Sequence, residues 1–259
     1  MTRKTRVYLI RHGQVVGHET PSYNGHADVA LTEYGIAQYH ELRERLANAG
    51  ITACYSSDLS RCATGAKIIC DALGITSTLD ARLRELNIGI WEGMTWSEIV
   101  AKYPLEWKAR LDDIVNYRVP EGESLLDLAG RAVPALQEMV VAHAGENILV
   151  VGHGGMNRTL LLDAIGAPLS ALFNIEQKYG CLNIIDFFDD GNRTVLTCQW
   201  TLGKPRCYSS TTAFFAACLR QLTREHKVYF QRMWENLKAV CLSWVTQNGQ
   251  KIRAIRVDP

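Results

Sequence analysis

The chain has 259 residues, enough for one large domain or two small ones, and its 47% hydrophobic and 21% charged residues are typical of a globular protein. The net charge of +1 gives the whole chain no general affinity for nucleic acid or for a membrane surface. No segment is typical of a signal peptide, and no apolar window reaches the ~18 residues that a membrane span needs.

Cysteine usage and the distribution of charge add two expectations. The eight cysteines are scattered without a Cys-x-x-Cys pair, which favours reduced, mostly buried thiols in a cytoplasmic protein over a zinc site or a disulfide framework. The charge is uneven, because residues 206–259 carry nine Lys and Arg against three Asp and Glu, whereas the rest of the chain is acidic.

Strand-like and helix-like segments alternate over roughly the first 200 residues, which predicts a three-layer α/β/α fold with a mostly parallel central sheet. Apolar periodicity predicts strands at 7–10, 51–55 and 147–151, and helices at 33–47, from a cap in 56–58 to 73, at 124–144 and at about 157–165. Thr32 and Ser124 are the expected helix caps, and Pro134 predicts a kink or a later start. The runs 182–188 and 194–200 predict a hairpin around the turn 189–192.

The character of the chain changes after Leu202. The residues Gly203 to Pro205 predict a break, and residues 226–245 place apolar side chains such as Trp234 on one face of a helix. We therefore divide the chain into a domain of residues 1–203 and a basic, amphipathic helical tail of residues 204–259. This tail either docks on its own domain, forms a homodimer contact or binds a protein partner.

The most informative motif is Arg-His-Gly at the end of the first predicted strand. Open α/β sheets carry their chemistry just past the carboxyl ends of their strands, so His12 can be held rigidly and still reach a ligand. Arg11 offers a planar fork of donors that suits a phosphate, and Gly13 allows close approach of the backbone. A surface strand end with two polar residues is the simpler interpretation of this motif alone.

A second histidine occupies a matching position. His153 follows the predicted strand at 147–151 and lies between Gly152 and Gly154. If both strands are central in one parallel sheet, both imidazoles emerge at the same edge. A structural core histidine would explain either residue alone, but it explains two matched settings less well.

Two further segments supply charged groups. Arg61 falls in the first turn of the second helix, where free N–H groups and the helix dipole favour an anion. The glycine-punctuated segment 83–93 carries Glu85 and Glu92, and either one is a candidate proton donor.

Together these groups suit phosphoryl transfer through a phosphohistidine. A neutral imidazole attacks phosphorus, the guanidinium groups and a protonated His153 balance the charge on the phosphoryl oxygens, and a carboxylic acid protonates the leaving alkoxide. Cationic side chains supply the charge that magnesium supplies elsewhere, so we expect no metal and no cofactor.

Six segments in this order resemble the histidine phosphatase superfamily, also called phosphoglycerate mutase-like proteins, over roughly residues 5–200. The segments are Leu9-Ile10-Arg11-His12-Gly13, residues 25–35, Ser56-Ser57-Asp58-Leu59-Ser60-Arg61, residues 84–93, Pro120-Glu121-Gly122-Glu123-Ser124 and Val151-Gly152-His153-Gly154-Gly155. The resemblance implies that His12 is the phosphorylated nucleophile and that Glu85, rather than Glu92, is the proton donor. It places Arg11, Arg61 and His153 in the phosphate pocket. We also expect substrate contacts from Gly154, Asn24 and Gly25, and His18 is a candidate contact because of its loop position.

The chain departs from the family pattern just after Arg-His-Gly. The family commonly has Glu where this chain has Gln14, Asn where it has His18, and Arg where it has Ser22. These differences predict an altered substrate. The segment 95–118, with Trp96, Tyr103, Trp107 and Tyr117, is a candidate cap over the pocket or simply packs.

The overall pattern is most similar to the bacterial branch that contains α-ribazole phosphatases and broad-specificity phosphatases. It implies hydrolysis of a small phosphorylated metabolite. Gly154-Gly155 after His153 and the short segment before it are typical of phosphatases, whereas mutases usually carry Gly-Asn and an insertion. Two alternatives stay open: a phosphoglycerate mutase, and a non-catalytic phosphate-binding module that interacts through the basic tail.

Overall fold

The structure is a computed structural model that describes residues 3–201 and 204–208. Its strands are β1 (Lys4–Arg11), β2 (Ile51–Ser56), β3 (Ser77–Leu79), β4 (Asn147–Gly152), β5 (Leu182–Phe188), β6 (Arg193–Thr201) and β7 (Lys204–Tyr208). They form one sheet in the order β3-β2-β4-β1-β5-β6-β7. The β3-β2, β2-β4 and β4-β1 pairs are parallel, whereas β5, β6 and β7 join β1 through antiparallel pairs.

Helices lie on both faces of this sheet, so the predicted three-layer α/β/α fold is confirmed. They are α1 (Glu33–Leu46), α2 (Ser60–Leu73), α3 (Trp96–Lys102), α4 (Pro104–Asp112), α5 (Leu125–Ala142) and α6 (Gly154–Ile165). On one face α1 and α2 pack over Tyr8, Ile10 and Leu149. On the other face α6 contacts β1, β6 and α5. The two faces differ because successive side chains of a strand point to opposite sides.

The central strands have the composition that burial on both faces requires. In β1, Val7, Leu9 and Ile10 have no exposed surface, and every residue from Ile148 to Val151 in β4 is fully buried. Continuous apolar runs of this kind are typical of parallel strands that are covered by helices on both sides. The pairing register places Arg11 opposite Gly152, so the two strands end side by side.

Two predicted helix starts differ from the structure. The helix after His153 begins at Gly154 rather than near residue 157, because the glycine pair forms the first helical turn instead of preceding it. The second helix begins at Ser60, and its N-cap Leu59 makes no side-chain cap. The carboxylate of Asp58 instead accepts a hydrogen bond of 2.7 Å from Nε of Arg84.

The long helix α5 starts where the sequence predicts. Ser124 caps it in a reciprocal arrangement with Asp127, in which each side chain accepts from the other residue's backbone N–H. Pro134 lies inside the helix and does not delay its start. The candidate cap region, residues 95–118, is also largely helical, since it forms α3 and α4.

The start of the predicted tail belongs to the sheet, because residues 204–208 form β7, which pairs antiparallel with β6. By its contacts the chain divides into two units, Met1–Tyr208 and Ser209–Pro259. The division at residue 203 stays a prediction. The predicted amphipathic helix at 226–245, with its dimer or partner contact, lies outside the described residues. In the described part of the chain, none of the helices combines the length and apolar character that crossing a bilayer demands.

Candidate active site

The two strand-end histidines meet at the carboxyl edge of the sheet. The backbone N–H of His12 donates to the carbonyl of Gly152, at 2.9 Å, and the centroids of the His12 and His153 rings are 5.2 Å apart. This proximity follows from the β1–β4 pairing, in which Arg11 lies opposite Gly152. The expectation that both imidazoles emerge at one edge is therefore confirmed by the sheet topology.

His12 is held as a neutral imidazole with one nitrogen free. Its Nδ1 lies 2.8 Å from the carbonyl oxygen of Gly13, so Nδ1 carries the hydrogen and Nε2 keeps its lone pair. Burial, together with the guanidinium groups of Arg11 and Arg61, holds the pKa of His12 well below its ordinary value of 6.5. An imidazole in this state is a nucleophile at neutral pH.

Gly13 makes this geometry accessible to the chain. A Cβ built on Gly13 would lie 2.5 Å from the carbonyl oxygen of Gly35, at the start of α1. No side chain fits in that space without a backbone shift. The glycine of the Arg-His-Gly motif is thus required for close packing of the strand end against α1.

His153 is fully buried and fixed in one tautomer. Its Nε2 lies 2.9 Å from the hydroxyl of Ser57, and its Nδ1 accepts from Nε of Arg61 at 3.3 Å. Burial, then Arg61 and His12, hold the pKa of His153 well below its ordinary value of 6.5. This arrangement favours a neutral His153, because a second cation beside Arg61 is unfavourable in a buried site. A protonated His153 stays a prediction that this geometry does not favour.

Arg61 holds the loop that follows the second motif. Its Nη1 donates to the carbonyl of Ala27 at 2.7 Å, and its Nη2 donates to the carbonyls of Gly25 and Asn24 at 2.9 and 3.3 Å. The side chain is almost completely buried. Arg61 therefore acts on the loop as well as on the charge of the site.

Glu92 holds the same loop from its N–H side. Its carboxylate accepts from the backbone N–H groups of Gly25, His26 and Ala27 at 2.6 to 3.2 Å. These three bonds tie up both oxygens in a backbone turn. Glu92 is therefore a positioning residue for the loop and, unlike Glu85, it does not line the cavity described below.

Glu85 is anchored on the first turn of α6. Its carboxylate accepts hydrogen bonds from the N–H groups of Gly155 and Met156, at 2.8 and 3.0 Å. N–H groups in the first turn of a helix have no partner inside the helix. A Cβ on Gly155 would lie 2.7 Å from Oε1 of Glu85, so the second glycine of Gly154-Gly155 is needed for this approach. The early start of α6 thus places the candidate proton donor beside the histidine motif.

The Glu123 motif supports the Glu85 segment from below the site. Arg131 donates to the carbonyl of Glu85 at 2.7 Å and forms an ion pair with Glu123 at 2.8 Å. Glu123 in turn accepts from the backbone N–H of Asn87 at 3.0 Å. The sequence motif around Glu123 therefore positions the candidate proton donor, and Glu123 itself does not line the cavity.

Arg11 lies against an aromatic ring that the sequence did not single out. Its Cζ lies 4.2 Å from the ring centroid of Tyr179, and Nη1 donates to the carbonyl of Gln177. Tyr179 also contacts His12, with ring centroids 5.5 Å apart. The Nε of Arg11 is buried and has no hydrogen-bond partner among the described residues. Tyr179 therefore orients the arginine that stands next to His12, the candidate nucleophile.

These side chains surround a cavity of about 300 Å³. Six of the predicted site residues line it in addition to His12, namely Arg11, Asn24, Gly25, Arg61, Glu85 and Gly154. His153 does not line the cavity, but it contacts Arg61, which does. His18 is also absent from the lining, because its Nδ1 faces the carboxylate of Glu19 at 3.4 Å. A phosphate contact of His18 stays a prediction that this geometry does not favour.

The cavity also contains residues that sequence reasoning missed. Arg110, Arg158, Tyr23 and Tyr179 line it, and Trp107 is the one member of the four candidate cap aromatics that does so. Isolated arginines on helices are usually solvated, so their sequence positions gave no signal. Of the three departures from the family pattern, Ser22 lines the cavity, whereas Gln14 accepts a hydrogen bond from Thr32 instead.

A metal site is not evident in the described part of the chain. The His, Cys, Asp and Glu side chains of the described residues form no group of three or more that could hold a metal ion. The charged groups that face the cavity are instead guanidinium groups and the carboxyl group of Glu85.

Comparison with known proteins gives a consistent assignment. A sequence model of the histidine phosphatase superfamily (branch 1) matches residues 7–199. A protein named "Probable phosphoglycerate mutase GpmB" from Yersinia pestis (strain Pestoides F) is 36% identical over 182 residues, which are 70% of this chain and 85% of that protein.

Solved structures share the fold. YhfR of Bacillus stearothermophilus is 32% identical and superimposes with a TM-score of 0.69. The superposition covers 74% of this chain and 96% of that chain. The α-ribazole phosphatase from Shigella flexneri is 24% identical, with a TM-score of 0.68 over 74% and 95% of the two chains. The fold, the site and these relatives define an enzyme of the phosphatase and mutase class. The chain belongs to the histidine phosphatase superfamily, branch 1.

Proposed function

We propose that this protein is a phosphatase that hydrolyses a small phosphomonoester through a covalent phosphohistidine on His12. The observation that carries the proposal is the state of that imidazole. It lines the cavity, its Nδ1 is occupied by the Gly13 carbonyl, and its lowered pKa leaves Nε2 unprotonated. A histidine with a purely structural role would need none of these features.

In the first step, Nε2 of His12 attacks phosphorus, the new N–P bond forms and the ester P–O bond breaks. The leaving alkoxide takes its proton from the carboxyl group of Glu85, which lines the same cavity. In the second step a water molecule attacks the phosphohistidine, returns a proton to Glu85 and releases inorganic phosphate. Each step moves one phosphoryl group and one proton, and the enzyme returns to its starting state.

The charge of the phosphoryl group is balanced by arginines. Arg11 and Arg61 both line the cavity beside His12. Fixed donors of this kind stabilise a transition state in which negative charge spreads over the phosphoryl oxygens. We therefore propose that the reaction needs no metal, and that a chelator leaves its rate unchanged.

His153 acts through its neighbours in this proposal. As a neutral ring it accepts from Arg61 and faces Ser57, so it holds the guanidinium of Arg61 in place beside the cavity. This role replaces the charge-balancing role that the sequence predicted for it.

We propose the substrate as a chemical class, small phosphomonoesters. Within this class, the resemblance favours α-ribazole phosphate or several sugar and nucleotide phosphates. Phosphoglycerate mutation is the second candidate, and the specific observation in its favour is the relative named a probable phosphoglycerate mutase, at 36% identity. The two activities differ in product, since a phosphatase releases inorganic phosphate and a mutase returns a phosphoglycerate isomer.

The test is a hydrolysis screen with phosphoglycerates, sugar phosphates, nucleotides and α-ribazole phosphate, run with the wild type and His12→Ala. His40→Ala is the matched control, because His40 is an exposed histidine on α1. The proposal expects phosphate release that is lost in His12→Ala, kept in His40→Ala and unaffected by a chelator. Full activity of His12→Ala would overturn it, and isomerisation much faster than phosphate release would establish the mutase instead.

We also propose a cytoplasmic location, on the basis of cysteine usage. Cys54, Cys62, Cys70 and Cys181 are all buried free thiols. Thiols of this kind are typical of proteins in reducing compartments.

A further inference from the structure

A second wall of the cavity, apart from the sheet edge, is formed by residues of α4 and by Tyr23. Arg110, on α4, lines this cavity and is 5% exposed. Its Cζ lies 6.0 Å from the ring centroid of Trp91, and its environment includes the side chains of Tyr23 and Tyr117. Arg110 is therefore a buried cation in a largely aromatic setting.

Among the residues that the structure describes, this guanidinium has no ion-pair partner. Its Nη1 is shielded from solvent and has no hydrogen-bond partner among the same residues. Burial lowers the pKa of Arg110, which shows that its environment disfavours the charge. Buried charged groups are normally paired or hydrogen-bonded, because leaving one unpaired costs free energy.

The other cavity arginines provide the contrast. Arg61 donates to three backbone carbonyls, Arg158 donates to the carbonyl of Ile175 at 2.6 Å, and Arg11 donates to that of Gln177. Each of these three is held by at least one backbone carbonyl before any substrate arrives, although Nε of Arg11 has no partner among the described residues. Among the described residues, four arginines line the cavity, and Arg110 is the one whose side chain donates no hydrogen bond to a backbone carbonyl.

We propose that Arg110 binds a second anionic group of the substrate, a carboxylate or a second phosphate, while His12 attacks the phosphoryl group that is transferred. A guanidinium in an aromatic pocket presents a planar pair of donors that matches the two oxygens of such a group. The inference rests on the proposed phosphatase function, and it narrows the substrate to small diacidic phosphate esters. Esters whose phosphate is the only anion are then the poorer substrates.

Matched substrates test this directly. 3-Phosphoglycerate and glycerol 3-phosphate differ only in a carboxylate against a hydroxymethyl group, and propane-1,3-diol bisphosphate against propyl phosphate tests a second phosphate. For each pair the ratio of kcat/KM is compared in the wild type, Arg110→Gln and Lys108→Gln. Lys108 is the control, because it loses the same charge from the same helix but is exposed and paired with Asp112.

We expect the wild type to prefer the diacidic member of at least one pair, and Arg110→Gln to reduce that ratio roughly tenfold or more, since a charge-assisted hydrogen bond is lost. Lys108→Gln should keep the wild-type ratio. The ratio does not depend on the fraction of folded enzyme, because both esters are measured on one preparation. Ratios that stay within about twofold in Arg110→Gln for both pairs would overturn the proposal.

Binding separates this inference from the proposed hydrolysis. The Kd values of 3-phosphoglycerate and glycerol 3-phosphate are measured by calorimetry for His12→Ala and for His12→Ala with Arg110→Gln. If the wild type hydrolyses neither ester but the Kd ratio depends on Arg110, the second anion site stands and the phosphatase assignment fails. If esters are hydrolysed but neither ratio responds to Arg110, the second anion site fails alone.

Discussion

The cavity has two walls that are built in different ways. At the sheet edge, three polar side chains are held by backbone groups: Arg61 by loop carbonyls, Glu85 by the first turn of α6, and His12 by the carbonyl of Gly13. On the α4 wall, Arg110 has an unpartnered nitrogen among aromatic rings. The sheet edge is thus preorganised for one reaction, whereas the α4 wall is completed by a ligand. Chemistry and substrate choice are therefore assigned to different walls.

The largest effect on catalysis is expected from a substitution of Glu85, which belongs to the sheet-edge wall. Glu85→Gln keeps the side-chain shape but removes the proton donor, so kcat for an alkyl phosphate should fall by about 10² to 10⁴-fold. The loss should be far smaller for p-nitrophenyl phosphate, because nitrophenolate leaves without needing a proton. Steady-state kinetics with both esters checks this, and equal losses would contradict the assignment of Glu85 as the acid.

A second effect concerns the stability of the sheet-edge wall. Arg61→Ala leaves the carbonyls of Asn24, Gly25 and Ala27 without their buried donor. The free energy of unfolding should fall by about 3 kcal/mol, measured by denaturant titration. Arg82→Ala is the matched control, since it removes an exposed arginine from surface ion pairs and should cost less than about 1 kcal/mol. An equal loss of unfolding free energy in Arg61→Ala and Arg82→Ala would contradict the positioning role of Arg61.

A third effect follows from the two buried imidazoles. Their pKa values are lowered in the folded protein, so below pH 6.5 the unfolded chain binds protons that the folded chain does not. The stabilising contribution is therefore complete above this pH and is lost as the pH falls towards the lowered pKa values. The free energy of unfolding should decline from pH 7.5 to pH 5.5, and less steeply in His153→Asn. NMR resonances of both rings that titrate at their ordinary pKa would contradict this account.

The smallest effect is expected at Tyr179. Tyr179→Leu removes the ring over Arg11, and a cation–π contact of this kind is worth about 1 kcal/mol, so KM should rise by about fivefold. Tyr179→Phe keeps the ring and should show the smaller increase. An equal rise in the two variants would point to the hydroxyl rather than to the ring.

The residues of the sheet-edge wall could be singled out from the sequence because their signals are local. His12 ends a strand and is followed by a glycine, a pattern that is visible in a short window, and Arg61 and Glu85 each stand in a short motif of their own. The parallel centre of the sheet followed from continuous apolar runs. The start of α6 was missed because Gly154-Gly155 is typical of a loop, and the N–H groups it exposes are capped by Glu85, about 70 residues away in sequence.

The α4 wall could not be predicted for the opposite reason. Arg110 and Trp107 have meaning only once α4 is packed against Trp91 and Tyr23, and no short pattern encodes that contact. The charge state of His153 also has no local signal, since its burial beside Arg61 depends on the tertiary fold. Local motifs thus pointed to the candidate reacting groups, whereas long-range packing decides their surroundings and the shape of the cavity.

The central claim is that His12 becomes covalently phosphorylated, and rapid quenching with a ³²P-labelled phosphomonoester tests it most directly. The account predicts acid-labile, alkali-stable label on the peptide that contains His12, formed in wild type and His40→Ala and absent in His12→Ala. Hydrolysis at full rate with no such label, or with the label on another residue, would contradict it.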